Sequence, residues 1–382
     1  MTTQPAGPWV VVVGMHRSGT SAVTGALGGL GFQMPRADDR VRREESNPEH
    51  WESLNLGLHD EALLHGLGGS WDAPPDLPPH WVHTVAVLGG NRSGAVLADA
   101  YPDTGPAAFK DPRVCLLLPH WRTVLPGPVA ALLVWREPGE VARSLQQRDN
   151  LPVASGLALW ERYNRAALAN MAGMDTYVVH FDDVVADPSG SLAAWADWLR
   201  SIPAFAPLAA AWDTGRAADV IAPELRHQTA SRAERGRSLI SLEQQRLADR
   251  LHDLSGSHRP LTDVDLGDET PWTTALLAAR RDTTRGQWQA EVARRRFWAT
   301  RREWADARTE AAVAAAARDR MEAERDGARA SLAGARTALA EAQAQLAEVY
   351  RSTSWKATQP LRSSVARVER WGRRPPGSGP GR

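Results

Sequence analysis

The stretch from Val10 to Gly29, VVVVGMHRSGTSAVTGALGG, constrains this chain more than any other. Four consecutive valines suit a strand buried on both faces, and Val10 to Val13 is expected to form it. Gly14 and Gly19 then bracket a loop that runs directly into a helix expected over Ser18 to Leu30, with Gly31 ending it. Strand, glycine-bearing loop and helix N-terminus make an anion cradle, because backbone N–H groups and the helix dipole converge on one point. The loop reads G-x-x-x-x-G-T-S, so Thr20 stands where a triphosphate-gripping loop carries lysine, and Arg17 lies inside it. Losing that lysine disfavours a β/γ-phosphate pair with magnesium and favours a single 5′-phosphate held without metal. A glycine turn that merely joins strand to helix is the competing account. The hydroxyls of Ser18, Thr20 and Ser21 beside Arg17 weigh against it.

Charge is balanced at 45 basic and 45 acidic residues, so a general nucleic-acid surface is not expected, and an anion site must be a local gathering of cations. Almost all the basic residues are arginine; only Lys110 and Lys356 are lysine. Cys115 is the single cysteine, which excludes a disulfide framework within the chain and a site built from several cysteines. The histidines lack metal-ligand spacing, and His80 and His83 sit in a proline-rich stretch without carboxylate support. No window reaches the roughly 18 apolar residues of a membrane span, and no signal peptide is read at the N-terminus, so a cytoplasmic protein is expected.

Strand-like and helix-like segments alternate through the first part of the chain, as in a parallel sheet flanked by helices. Leu54 to Leu67 reads as a helix, and WDAPPDLPPHW breaks the chain after it. AAFKDPR and VAALLVWREPGEVARSL each read as a short strand delivering charged residues at its C-terminal end, where open α/β sheets bind ligands. Val153 to Met171 reads as a helix, TYVVHFDDV as a strand ending at Asp182 and Asp183, and Ser191 to Leu199 as a helix. IAPELRHQTASRAERGRS is basic and irregular and is read as a flap. From Pro271 glycine and proline become scarce, and one long helix is expected to Tyr350. Leu332, Leu339 and Leu346 fall at heptad spacing, with Ala335, Ala342 and Val349 at the other seam positions, so a coiled coil that self-associates is one expectation. Arg318 and Arg325 interrupt that seam upstream, and a solvated single helix packed on the domain is the other. Three regions follow: 1–266, 271–350 and a basic tail, 351–382.

GMHRSGTS resembles the 5′-phosphosulfate loop of the sulfotransferases, which use 3′-phosphoadenosine 5′-phosphosulfate (PAPS) and share a P-loop-kinase-like fold. WREPGEVARSL adds a second likeness, since Arg136 and Ser144 stand eight apart in the strand-to-helix setting with which that family holds the 3′-phosphate. NPEHWES, FKDPR, LWERYN and VVHFDDVVADP are similar to segments of bacterial members. The resemblance covers Val10 to Leu199 well and Ser201 to Leu266 poorly. YRSTSWKATQPLRSSVARV resembles a tail that follows coiled-coil segments in bacterial cell-surface polysaccharide glycosyltransferases.

The resemblance implies that Gly14, His16, Arg17, Ser18, Gly19, Thr20 and Ser21 cradle the 5′-phosphate and that Arg136 and Ser144 hold the 3′-phosphate. Arg17 takes the place of the family's loop lysine at the bridging oxygen, where a permanently charged guanidinium can clamp a leaving group but is a poor proton donor. Glu52 is the first choice for a carboxylate base, with His50, Glu49, His59 and Asp60 as neighbours, and Lys110 and Arg113 are expected to line the sulfate and acceptor pocket, oriented by Asp111. The acceptor implied is a hydroxyl of a carbohydrate or glycan-containing molecule. Two rivals remain: a P-loop kinase using Asp182 and Asp183, and an inactive scaffold that recruits glycan enzymes. Trp355, Leu361, Val365, Val368 and Trp371 among Arg351, Lys356, Arg362, Arg367 and Arg370 lead to an expectation of peripheral attachment to the inner face of the membrane.

Overall fold

The computed structural model describes residues 7–41, 50–89, 92–212, 214–218, 221 and 240–358. The flap after Ile221, Glu49 and the tail beyond 358 therefore lie outside the described residues. Five strands form one sheet in the order β2-β1-β3-β4-β5. β1 (Trp9–Val13), β2 (Ala107–Lys110), β3 (Val129–Trp135) and β4 (Thr176–His180) are mutually parallel, and β5 (Gly256–His258) closes one edge antiparallel to β4. Every residue of β1 is fully buried. The strand pleat sends Val11 and Val13 into one apolar layer with Phe109, Leu133, Trp160 and Tyr163, and Val10 and Val12 into another with Val23, Leu27, Trp195 and Leu199. Residues of adjacent pleats thus need to be apolar alike, which is why the strand reads as an unbroken valine run.

The α-helices up to Ser201 are α1 (Thr20–Gly29), α2 (Leu54–Gly66), α3 (Trp81–Gly89), α4 (Arg92–Ala100), α5 (Val114–Val124), α6 (Pro138–Asp149), α7 (Val153–Met171), α8 (Phe181–Ala186) and α9 (Pro188–Ser201). The order places β2 and β3 on opposite sides of β1, so the C-terminal end of β1 is the switch point at which α/β sheets form a ligand crevice. Trp160, Trp195 and Trp198 are buried, in keeping with packing roles.

Several boundaries differ from those expected. Ser18 is outside α1, because Arg17 and Gly19 both adopt left-handed backbone (φ 70° and 90°) and the helix begins only at Thr20. The strand expected to deliver Asp182 and Asp183 stops at His180, and both aspartates instead open α8, where acidic side chains favour the helix dipole. Asp187 caps α9 by accepting from the Gly190 N–H at 2.9 Å, so that helix starts earlier than its apolar pattern shows. His83, read as part of a proline-rich stretch, belongs instead to α3.

The helix Pro271–Arg351 is continuous, and the chain divides within it into the units Met1–Glu291 and Val292–Arg382. Its opening turns belong to the first unit. There the buried Glu161 carboxylate of α7 accepts from Thr270 N–H (2.8 Å), Thr273 Oγ1 (2.8 Å) and Gln244 Nε2 (3.1 Å), while Leu277 is fully buried. Arg280 donates to the Asp72 carbonyl at 3.0 Å, and Arg281 to the Pro74 carbonyl at 2.8 Å. In the second unit Leu332, Leu339 and Leu346 are each about half exposed on the helix surface. Among the described residues no helix is long and apolar enough to cross a membrane.

Candidate active site

The loop after β1 packs too closely for side chains at its two glycines. A Cβ on Gly14 would lie 2.4 Å from the Val134 carbonyl oxygen, and one on Gly19 would lie 2.0 Å from the Phe181 ring. The Gly19 φ of 90° is a second barrier, so only glycine lets the chain turn here and present the first N–H groups of α1 to the crevice. The Ser18 N–H closes the turn onto the Met15 carbonyl at 3.1 Å. Ser18 Oγ and His16 Nε2 are both buried and find no hydrogen-bond partner among the described residues. Leaving such groups unpaired costs on the order of 1–3 kcal/mol each, a cost that a bound polar ligand would offset.

The cleft over this loop is lined by His16, Arg17, Gly19, Thr20, Ser21, Ala22, His50, Glu52, Lys110, Pro112, Arg136, Arg148 and Phe181. Most of the residues that the sequence singled out do converge: the loop, the strand-end lysine, the arginine after β3, and Glu52 with His50. Four cationic side chains against one carboxylate make the cleft electropositive. Arg148, which lies four residues, or about one helical turn, beyond Ser144, was not anticipated. That spacing is the signal that would have found it.

Lys110 answers the question raised by the missing loop lysine. It ends β2, is almost completely buried, donates from Nζ to Ser21 Oγ at 3.1 Å and forms an ion pair with Glu52. Ser21 follows the position where the loop lacks its lysine, so the ammonium arrives from the neighbouring strand and not from the loop. Sequence separation of 89 residues hid this contact.

Arg136 lines the cleft, whereas Ser144 is not among the lining residues and is joined to them through Arg17. Arg136 donates from Nε to Glu140 at 2.8 Å, forming a pair in which both side chains are buried, and its guanidinium lies over the Phe181 ring at 5.4 Å. Ser144 accepts from Arg17 Nε at 2.9 Å, which ties the loop to α6. The pairing expected to hold one phosphate therefore contains two further members, Glu140 and Arg17. Arg17, expected at a bridging oxygen, here reaches the hydroxyl expected at the 3′-phosphate.

Beneath Lys110 the acidic residues support arginine. Arg113 donates to Glu61 at 2.7 Å and to both oxygens of Asp111 at 3.2 and 3.1 Å, so Asp111 orients Arg113, whereas Lys110 is held by Ser21 and Glu52. Asp60 accepts from Trp121 Nε1 at 2.9 Å, and its other oxygen has no partner among the described residues. Burial, then the nearby Asp111, raises the Asp60 carboxyl well above its ordinary range. Burial also raises Asp111. His59 belongs to a separate buried chain, with Ser93 Oγ 2.8 Å from its Nε2 and 2.9 Å from that of His120. Burial lowers His59 to about 4. Asp60 and His59 are thus buried beneath or away from the lining of the cleft.

His16 packs its ring against Trp71 at 4.7 Å and Tyr163 at 5.9 Å. Tyr163 donates to the Trp71 carbonyl at 2.7 Å, which locks this wall. Burial, followed by the charges of Arg113, Arg148, Lys110 and Arg17, lowers His16 well below the usual imidazole range and keeps it neutral.

No family model matches the chain. A search of curated proteins likewise finds no match. Among solved structures, the sulfotransferase domain of the Synechococcus PCC 7002 olefin synthase is similar at 18% identity and TM-score 0.35, over 65% of this chain and 96% of that one. The sulfotransferase domain from the curacin biosynthetic pathway is similar at 14% identity and TM-score 0.35, over 65% of this chain and 99% of that one. Sulfotransferase STF1 from Mycobacterium tuberculosis H37Rv is similar at 15% identity and TM-score 0.37, over 66% of this chain and 78% of that one. The functional reading below rests on the loop and its charges.

Proposed function

We propose that this chain transfers a sulfuryl group from PAPS to a hydroxyl, most plainly that of a carbohydrate or a glycan-containing molecule. The observation that carries the reading is the convergence of Arg17, Lys110, Arg136 and Arg148 on a glycine loop at the switch point of a parallel sheet. When bound, PAPS supplies a sulfuryl group and a bisphosphate leaving group; the chain's own residues position and stabilise. The N–H groups at the start of α1, with the Thr20 and Ser21 hydroxyls, suit the 5′-phosphate. Lys110, anchored by Ser21 and Glu52, would stabilise the charge that develops during transfer, and Arg17 stays charged throughout. Arg136, aligned by Glu140, and Arg148 suit the 3′-phosphate. For the acceptor proton the cleft offers the Glu52 carboxylate and the His50 imidazole, both of which the sequence singled out, and the His16 imidazole.

Thermal-shift titration tests this reading. Adenosine 3′,5′-bisphosphate should stabilise the protein, whereas ATP with magnesium should leave it nearly unchanged; the reverse result would favour the kinase. Peripheral membrane attachment through the tail remains a separate proposal. The full chain should sediment with anionic liposomes at low salt and less at high salt, and failure to sediment at low salt would remove it.

A further inference from the structure

We propose that the His16 imidazole takes the proton of the acceptor hydroxyl, a catalytic role that rests on the sulfuryl-transfer reading above. His16 lines the same cleft as Lys110, more than nine-tenths of it is buried, and its Nε2 has no hydrogen-bond partner among the described residues. The ring is wedged against Trp71 and Tyr163, so its orientation is set before any ligand arrives. A hydroxyl that reaches Nε2 supplies the bond this nitrogen lacks.

The competing acceptor is already engaged. Glu52 is paired with Lys110, which is almost completely buried and whose other hydrogen bond goes to Ser21. A proton placed on Glu52 would discharge that pair and leave the ammonium without its carboxylate. One placed on His16 breaks no existing bond. Charge also favours the imidazole once the donor is bound. Arg17 from the loop, Lys110 from β2, Arg113 before α5 and Arg148 from α6 bear on the ring, and Tyr163 of α7 packs against it as a neutral phenol, its titration pushed up by burial. Burial first, and then these cations, hold the imidazole neutral; the anionic donor offsets the cations' share, so basicity rises when the donor is seated.

The step balances with His16 in the tautomer protonated on Nδ1. A lone pair of the hydroxyl oxygen forms the new O–S bond as the O–H proton passes to Nε2. The S–O bond to the 5′-phosphate breaks, and its electron pair stays on the phosphate oxygen of the departing bisphosphate. The imidazolium then returns its proton to water.

The test uses the full chain, wild type and His16→Gln, with adenosine 3′,5′-bisphosphate as the binding probe. Calorimetry in buffers of different ionisation enthalpy should show more proton uptake on binding by the wild type than by His16→Gln. PAPS with phenols graded from p-nitrophenol to tyramine probes turnover, because an acidic phenol arrives already ionised and needs no base. His16→Gln should slow tyramine sulfation by about 100-fold or more and p-nitrophenol sulfation by less than about tenfold. Equal proton uptake by the two proteins, a uniform loss across the phenols, or acidity dependence in Glu52→Gln but not in His16→Gln would overturn the proposal. Absence of bisphosphate binding by the wild type would instead overturn the sulfotransferase reading on which it rests.

Discussion

Arg136 shows how one residue can serve binding and folding together. Its fork is aligned by Glu140 in a buried pair, so removing the charge altogether would leave a buried carboxylate unpaired, at a cost of about 3–5 kcal/mol. Arg136→Lys keeps the charge and loses the planar fork. It should weaken adenosine 3′,5′-bisphosphate by on the order of tenfold, with a much smaller effect on adenosine 5′-phosphosulfate and a nearly unchanged Tm; calorimetry with both nucleotides checks this, and equal losses would contradict a 3′-phosphate role. Asp60 makes a prediction about pH. Its folded carboxyl titrates well above its unfolded value, so its stabilising contribution is complete at acid pH and is lost as pH rises from about 4 through the folded value. Asp60→Asn can keep an oxygen for Trp121 Nε1 and cannot ionise. The Tm of the wild type should therefore fall relative to the variant as pH is raised from 5 to 8, by up to about 1.4 kcal/mol of stability per unit, and parallel Tm profiles would refute the assignment.

At the scale of elements, the site depends on a turn that neither β1 nor α1 can make alone. Gly19 combines a left-handed backbone with close approach to the Phe181 ring at the end of β4, two strands away in the sheet, so Gly19→Ala must displace Phe181, the loop or both. Loss of bisphosphate binding below detection, together with a stability loss of roughly 2–4 kcal/mol, is expected from thermal shift and chemical denaturation. An alanine variant that binds normally would show that the loop tolerates an ordinary turn. The same contact explains why β4 ends where it does. Phe181 has to turn beneath the loop, and Asp182 and Asp183 follow it into α8, away from the strand-end position their sequence suggests.

For the whole molecule, the decisive feature is that the long helix begins inside the first unit. Cutting after Leu266 would strip Thr270, Thr273 and Leu277 from the Glu161 network and the apolar layer, whereas cutting after Glu291 follows the division between units. The 1–291 protein should bind adenosine 3′,5′-bisphosphate within about twofold of the full chain, because every proposed ligand group is retained. The 1–266 protein should unfold several degrees lower, reflecting a buried carboxylate deprived of two donors. Equal Tm values for the two truncations would show that those turns add nothing to the fold.

What the sequence determined by itself was local. Val10 to Val13 read as a strand covered on both faces, Gly14 and Gly19 as the ends of a tight turn into a helix, and Arg136 and Ser144 as members of one strand-to-helix unit. These follow from side-chain pleat, backbone φ and helical rise, which act over a few residues. Tertiary structure alone brought Lys110 to Ser21 across 89 residues, paired it with Glu52, and laid Trp71 and Tyr163 against His16. It also gave Arg136 and Ser144 the additional partners Glu140 and Arg17. Such contacts depend on which strands are neighbours in the sheet and how its helices pack, and their charges have no defined energy until burial removes the water that screens them.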